Sequence, residues 1–114
     1  MSDCLFCKIR DGGIPAKLVH QDDRAIAFLD INPQAPLHAL VLPRKHIPTL
    51  LDLTPEDDGL IGHLHRVAVK LTRDAGHADV GFRTVFNCNK GAGQSVWHLH
   101  LHVLAGRSLG WPPG

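Results

Sequence analysis

"GQSVWHLHLHVLAG", Gly93 to Gly106, carries three histidines, His98, His100 and His102, spaced two residues apart. Leu99, Leu101, Val103 and Leu104, between and after them, are aliphatic. On an extended strand, side chains alternate faces. The three imidazoles then share one face. Trp97, Leu99, Leu101 and Val103 share the other and pack against a helix. A solvent face would more usually carry Lys, Thr or Glu, so a row of imidazoles points to chemistry. Two chemistries fit. Three strand histidines plus a water make a hydrolytic zinc site, or one imidazole is a nucleophile that its neighbours assist. The loop just before, "NKGAGQS", bears on the choice. Its glycines offer backbone N–H groups and Ser95 offers a hydroxyl, a combination that cradles anionic oxygens. A phosphate held there would lie beside the histidine face. An imidazole titrating near 6.5 is mostly neutral at pH 7 and attacks phosphorus without a separate strong base.

Outward from this strand, "FRTVFNC" reads as the strand before the glycine loop, with Cys88 in its core. "TPEDDGLIGHLHRVAVKLTRDAG" is the clearest helix. Thr54 is a good N-cap and Pro55 suits the first helical position. Glu56, Asp57 and Asp58 lie at the positive end of the dipole. Leu60, Leu64, Val67 and Leu71 recur at helical spacing, widened by Ile61, Ala68 and Ala75, and Gly76 suits the C′ position. "LHALVLP" is a strand ended by Pro43, "INPQAP" is a turn-rich loop, and "AKLVHQDDRAIAFLD" is a hairpin about Asp22-Asp23. "CLFCKIRDGG" is a short helical turn stopped by Gly12-Gly13. Strands joined by short turns, with one long and one short helix, predict an α+β fold with a five-stranded antiparallel sheet.

The chain has 114 residues, 44% of them hydrophobic, and a formal net charge of +1. That predicts one domain, 1–114. No basic tract is present, so duplex nucleic acid is not an expected partner. No apolar run approaches the length of a membrane span, and the N-terminus does not read as a signal peptide. Three cysteines, Cys4, Cys7 and Cys88, are an odd set for a secreted disulfide framework. A cytoplasmic protein with reduced thiols or a metal is expected. "CLFC" is either a zinc half-site or a redox pair. A redox motif would follow a strand within a βαβ pattern, whereas this one precedes every strand. Zinc needs two further ligands, of which His46 in "LPRKHI" is a candidate. His20, His63, His65 and His77 have no motif context, although His63 lies beside the helix stripe, where a dimer mate could touch it.

"HLHLHVL", His98 to Leu104, matches the pattern His-φ-His-φ-His-φ-φ at every position. Together with "CLFCKI", "IPAKLV", "DDRAIAFLDINPQAP", "LPRKHI", "GAGQSV" and the tail "GRSLGWPPG", it makes nearly the whole chain resemble the Hint branch of the histidine-triad (HIT) superfamily. The resemblance implies a homodimer with a sheet continuous across it. It implies a purine nucleoside phosphoramidase in which His100 attacks the α-phosphorus to form a nucleotidyl-histidine. His98 would orient the His100 ring through its backbone carbonyl, and His38 would sit behind His100 and share its proton. His102 and Ser95 would contact the phosphate and leaving group, with Asn87, Gly93, Gln94 and Val96 close by. Asp30 would accept from the ribose hydroxyls, and Leu5, Phe6, Ile9, Phe28, Ile31 and Leu40 would form the base pocket. The tail, 106–114, would carry Trp111 toward the partner's active site. Some relatives close a structural zinc site with Cys4, Cys7, His46 and His98, and others lack the cysteines, so the metal would not be required for catalysis. Uridylyltransferases of the superfamily carry Gln at the position of His102, and its retention here argues for hydrolysis. The rival readings are a dinucleoside polyphosphate hydrolase, a non-catalytic nucleotide-binding or scaffold protein, and a zinc hydrolase with the triad as ligands. The last is disfavoured because Cys4 and Cys7 offer better zinc ligands away from the phosphate loop.

Overall fold

A computed structural model describes residues 3–114. In chain order the elements are α1 (Leu5–Arg10), β1 (Leu18–Gln21), β2 (Ala25–Leu29), β3 (Leu37–Pro43), α2 (Asp58–Asp74), β4 (Phe82–Val85) and β5 (Leu101–Ala105), with short 3₁₀ turns at Leu50–Asp52, Pro55–Asp57 and Lys90–Ala92. The five strands form one antiparallel sheet in the order β1-β2-β3-β5-β4, as the strand pattern predicts.

Local chemistry places each element. The β1–β2 turn closes on Asp22, whose Oδ1 accepts from the backbone N–H groups of Arg24 and Ala25, both at 2.8 Å. The long helix starts one turn later than expected. Thr54 caps the 3₁₀ turn Pro55–Asp57 in a capping box with Asp57, and the α-helix begins at Asp58. Its far end follows the glycine expectation. Gly76 has φ +78°, its N–H donates to Arg73 O, and the His77 N–H donates to Thr72 O, the paired bonds of a Schellman stop.

The sheet has two unlike faces. Ala25, Ala27, Ala39, Val41, Leu101 and Val103 point at α2 and form one core with Leu64, Val67, Ala68 and Leu71. Ile26, Phe28, Leu40 and Leu42 point the other way and meet Phe6 of α1. Ala75, expected to widen the helix stripe, is exposed. No helix among the described residues is long and apolar enough to cross a membrane.

The histidine segment is not one long strand. β5 begins only at Leu101, because its neighbour β3 ends at Pro43, which has no N–H to continue the ladder. Upstream, the Leu99 N–H donates to Ile47 O instead. β4 stops at Val85 for the same want of a partner, so Cys88 lies in the following loop, partly exposed, and not in a strand core. Trp97 does not join Leu101 and Val103 under α2; it is 45% exposed.

Candidate active site

His98, His100 and His102 keep to the α1 side of the sheet. The Phe6 ring stands edge-on to His100 at 4.9 Å and lies 6.3 Å from His98, while the His100 and His102 rings are 5.0 Å apart. His98 and His100 are buried, and His102 is half-buried. The hydrogen bonds assign a tautomer to each imidazole. His98 Nε2 lies 2.7 Å from Pro43 O, a pure acceptor, so Nε2 carries the hydrogen and Nδ1 keeps its lone pair. His100 is the opposite case. Its Nδ1 lies 2.7 Å from His98 O, so Nδ1–H donates there and Nε2 holds the lone pair.

His38 and His102 form a chain. The Gln34 N–H donates to His38 Nδ1 at 3.0 Å, which fixes the His38 hydrogen on Nε2. That Nε2 lies 2.9 Å from His102 Nδ1 and 3.5 Å from Asp30 Oδ2. His102 Nδ1 is then an acceptor, and its hydrogen sits on Nε2. His38 therefore stands against His102, not behind His100 as expected. Burial keeps all four imidazoles below the ordinary histidine range, with His98 and His102 pushed down to about 4. At neutral pH the set is uncharged: His100 keeps a bare Nε2 and His102 an Nε2–H, on rings whose centres are 5.0 Å apart.

Both rings line a cavity of about 430 Å³, of a size that takes a small organic ligand. Leu5, Phe6 and Ile9 from α1 form one wall, and Phe28, Leu40 and Val96 form another. Ile31 also lines it, although its side chain is fully exposed. Asp30 lies at the edge, its Oδ1 taken by the Asn32 N–H at 2.9 Å. Gly93, Ser95 and Asn87 complete the polar end. Gly93 has φ +94°, a conformation glycine adopts without strain.

One expected substrate contact falls elsewhere. Gln94 is buried outside the cavity lining and braces the glycine loop. Its Oε1 accepts from the Asn89 N–H, and its Nε2 donates to Pro48 O and Val96 O. Trp111 is 85% exposed and does not line the cavity of its own chain. The cavity also has a wall that the sequence reading missed, made by Ile14, Pro15, Ala16 and Leu29. The signal was there in "IPAKLV", an apolar stretch directly after the glycine stop.

Behind this cavity lies a second cluster. The ligand atoms of Cys4, Cys7, His46 and His98 all lie within 4.8 Å of one another. Cys4 Sγ and Cys7 Sγ are 3.5 and 3.4 Å from His98 Nδ1, Cys7 Sγ is 3.2 Å from His46 Nδ1, and the two Nδ1 atoms are 3.2 Å apart. Tetrahedral zinc with ordinary Zn–S and Zn–N bonds requires S–N edges of about 3.6 Å and an N–N edge of about 3.3 Å. The His98 lone pair points into the cluster because Nε2–H is held by Pro43 O, the outer-shell arrangement that zinc histidines use. The four residues fit a structural zinc ion. Asp30, His38 and His102 form another compact set of ligand atoms, but the Gln34 N–H already occupies the His38 Nδ1 lone pair. Ligation through Nε2 would put a hydrogen on Nδ1 and set two donors face to face, so this set is built for hydrogen bonding. The triad does not converge on one point as zinc ligands would.

The family model described as "Scavenger mRNA decapping enzyme C-term binding" matches residues 3–110. A HIT-like protein of Synechocystis sp. is 49% identical over 112 residues, which cover 98% of this chain and 97% of that protein. The crystal structure of a HIT family hydrolase from Legionella pneumophila superposes with a TM-score of 0.96 at 49% identity, covering 98% of this chain and all (100%) of that one. A histidine triad protein from Clostridium difficile gives a TM-score of 0.93 at 44% identity over 96% of both chains. The chain belongs to the HIT-like superfamily. It is similar to HIT family hydrolases over 96–98% of its length.

Proposed function

We propose that this protein is a Hint-branch phosphoramidase that hydrolyses purine nucleoside 5′-phosphoramidates to the nucleoside monophosphate and an amine. The carrying observation is the tautomer pair. The His100 Nδ1–H is held by His98 O at 2.7 Å, leaving Nε2 as a nucleophile without need of a base, on a ring whose centre is 5.0 Å from that of His102, whose Nε2 carries a hydrogen. In this reading the base lies among Leu5, Phe6, Ile9, Phe28, Ile31 and Leu40. Asp30 receives the ribose hydroxyls, and Gly93, Ser95 and Asn87 hold the phosphoryl oxygens. The negative phosphoryl group favours protonation of His102 at Nδ1, the His38 Nε2–H turning from that atom to Asp30 Oδ2, 3.5 Å away, so the proton enters with substrate. His100 Nε2 bonds to phosphorus, the P–N bond breaks, and His102 gives its proton to the leaving amine. Water then attacks the nucleotidyl-histidine, His102 takes the water's proton, and His100 is released.

Zinc held by Cys4, Cys7, His46 and His98 would supply a structural tie and no step of this chemistry. A homodimer, with residues 106–114 reaching the partner's site, and a cytoplasmic location complete the reading. The test is turnover of matched P–N, P–O and polyphosphate adenosine substrates by purified protein. Preference for the P–N compound supports the proposal. Preference for a dinucleoside polyphosphate would replace it with the sister-branch activity.

A further inference from the structure

α1 has six residues, Leu5–Arg10, too few to persist as a helix without tertiary ties. It nonetheless supplies one wall of the cavity through Leu5, Phe6 and Ile9. Its ties are particular. Cys4 caps it, accepting from the Cys7 N–H at 3.3 Å, and Cys4 and Cys7 both belong to the four-ligand cluster. Phe6 lies between those two cysteines in sequence and is 5% exposed. Its ring meets His100 edge-on at 4.9 Å and Phe28 at 5.4 Å. The cluster thus grips the segment whose side chains shape the cavity. It also grips His98, whose carbonyl holds the His100 ring.

The cluster has its own approach. A surface cleft lined by Asp3, Cys4, His46 and Trp97 reaches it from outside, and Leu5, Ser95 and Val96 are shared between this cleft and the catalytic cavity. Two of the four ligands, Cys4 and His46, thus face outside through a cleft separate from the cavity, with a common wall between the two.

We infer that metal binding at Cys4, Cys7, His46 and His98 and nucleotide binding in the cavity are positively coupled through α1, so that the metal is an effector of the pocket as well as a structural tie. This rests on the nucleotide reading above. Coupling between two sites is reciprocal: the factor by which metal tightens nucleotide is the factor by which nucleotide tightens metal.

The experiment measures both sides of that square. AMP is titrated into zinc-loaded and zinc-stripped protein by calorimetry. Zinc affinity is measured against a chelating indicator with and without saturating AMP. About a tenfold tightening is expected on each side, within the usual range for coupled sites. If stripping unfolds the chain, AMP tightens zinc merely by binding the folded form, and only the part of the factor lost in Phe6→Leu counts as coupling through α1. Phe6→Leu keeps an apolar side chain and all four ligands; it is expected to keep zinc affinity and bring the factor close to one. AMP bound equally by both forms overturns the inference and leaves the proposed function standing. A Phe6→Leu variant with undiminished coupling overturns the route through α1. Zinc-loaded protein that binds no nucleotide overturns the functional reading and the coupling with it.

Discussion

The two faces of the sheet come from the same strands and bury opposite things. Toward α2 the alternation of β5 presents Leu101 and Val103 to an all-apolar core of Ala25, Ala27, Ala39, Val41, Leu64, Val67, Ala68 and Leu71. Toward α1 it presents His102, preceded by His100 and His98, beside Phe6, Phe28 and Leu40. A buried polar group costs free energy unless it is hydrogen-bonded. On the α1 face the backbone meets each demand: Pro43 O for His98, His98 O for His100, and the Gln34 N–H for His38. Among the described residues no buried side-chain nitrogen or oxygen lacks a partner. One face therefore carries stability through packing. The other holds polar groups in fixed tautomers around a void. Substitutions should separate the two.

The largest separation is expected at His100. His100→Ala removes the proposed nucleophile and should lower P–N turnover by at least about 10³-fold, while AMP still binds. A nucleotidyl adduct trapped by acid-free quenching of wild type should be absent from the variant. Wild-type turnover in His100→Ala would sink the covalent route. The counterpart on the α2 face is Leu64→Ala. Leu64 is fully buried, and truncation should cost about 2–5 kcal/mol of stability, read by urea unfolding. Turnover per folded molecule should be unchanged. A loss of kcat in that variant would show that the faces are not separable.

His102 is expected to show both a kinetic and a stability effect. His102→Phe removes the Nε2 donor and should lower kcat by about 10²-fold. The stability effect depends on pH. Burial holds His102 at about 4, whereas an unfolded-chain histidine titrates near 6.5. Between those values the unfolded state takes up a proton that the folded state refuses, so stability falls as pH drops from about 6.5 toward 4. Above that window both states are neutral and His102 adds no slope. Thermal unfolding followed over this range should be flatter in His102→Gln than in wild type. Equal slopes would remove His102 from the account. Asp22 acts lower down. His20 Nε2 and His63 Nε2 each lie 2.7 Å from its Oδ2, and hydrogen bonds from these and from backbone N–H groups outweigh burial to hold its carboxyl well below the usual range. Its contribution is present above about pH 4 and is lost below it.

What the sequence made legible follows the same division. Periodicity located the strands, α2 and its glycine stop, because packing obeys repeats of two and 3.6 residues. The common side of the three histidines was legible for the same reason. Hydrogen-bond routing was not. That Gln94 braces the glycine loop, that His38 pairs with His102, and that His63 meets Asp22 across 41 positions are long-range facts with no local pattern. The start of β5 has no local signal either: Pro43 ends its own strand, and only the pairing of β3 with β5 carries that break across to Leu101.

The smallest expected effect lies in the tail, which belongs to neither face. A chain end normally frays, and Trp111, a large apolar side chain, gains nothing from water. In the single chain it covers no core of its own, since it is 85% exposed. The segment before it is tied down. Arg107 Nε donates to Gln34 O at 2.8 Å, and Arg83 Nη2 on the edge strand β4 donates to Gly110 O at 2.7 Å. Gly106 sets its direction: φ is +97°, and a Cβ there would come within 2.8 Å of Pro36 Cβ. The Arg83 bond thus lays the tail along the β4 edge, and none of its residues lines the cavity of its own chain. Removing residues 109–114 deletes one exposed bond, worth about 1 kcal/mol, and should leave the melting temperature and the gel-filtration volume nearly unchanged. It should change kcat/KM by a factor of several, about 1 kcal/mol, and by different factors for small and bulky leaving groups. Unfolding on truncation, or one common factor for every substrate, would make the tail a strap on the β4 edge and leave the site complete within a single chain.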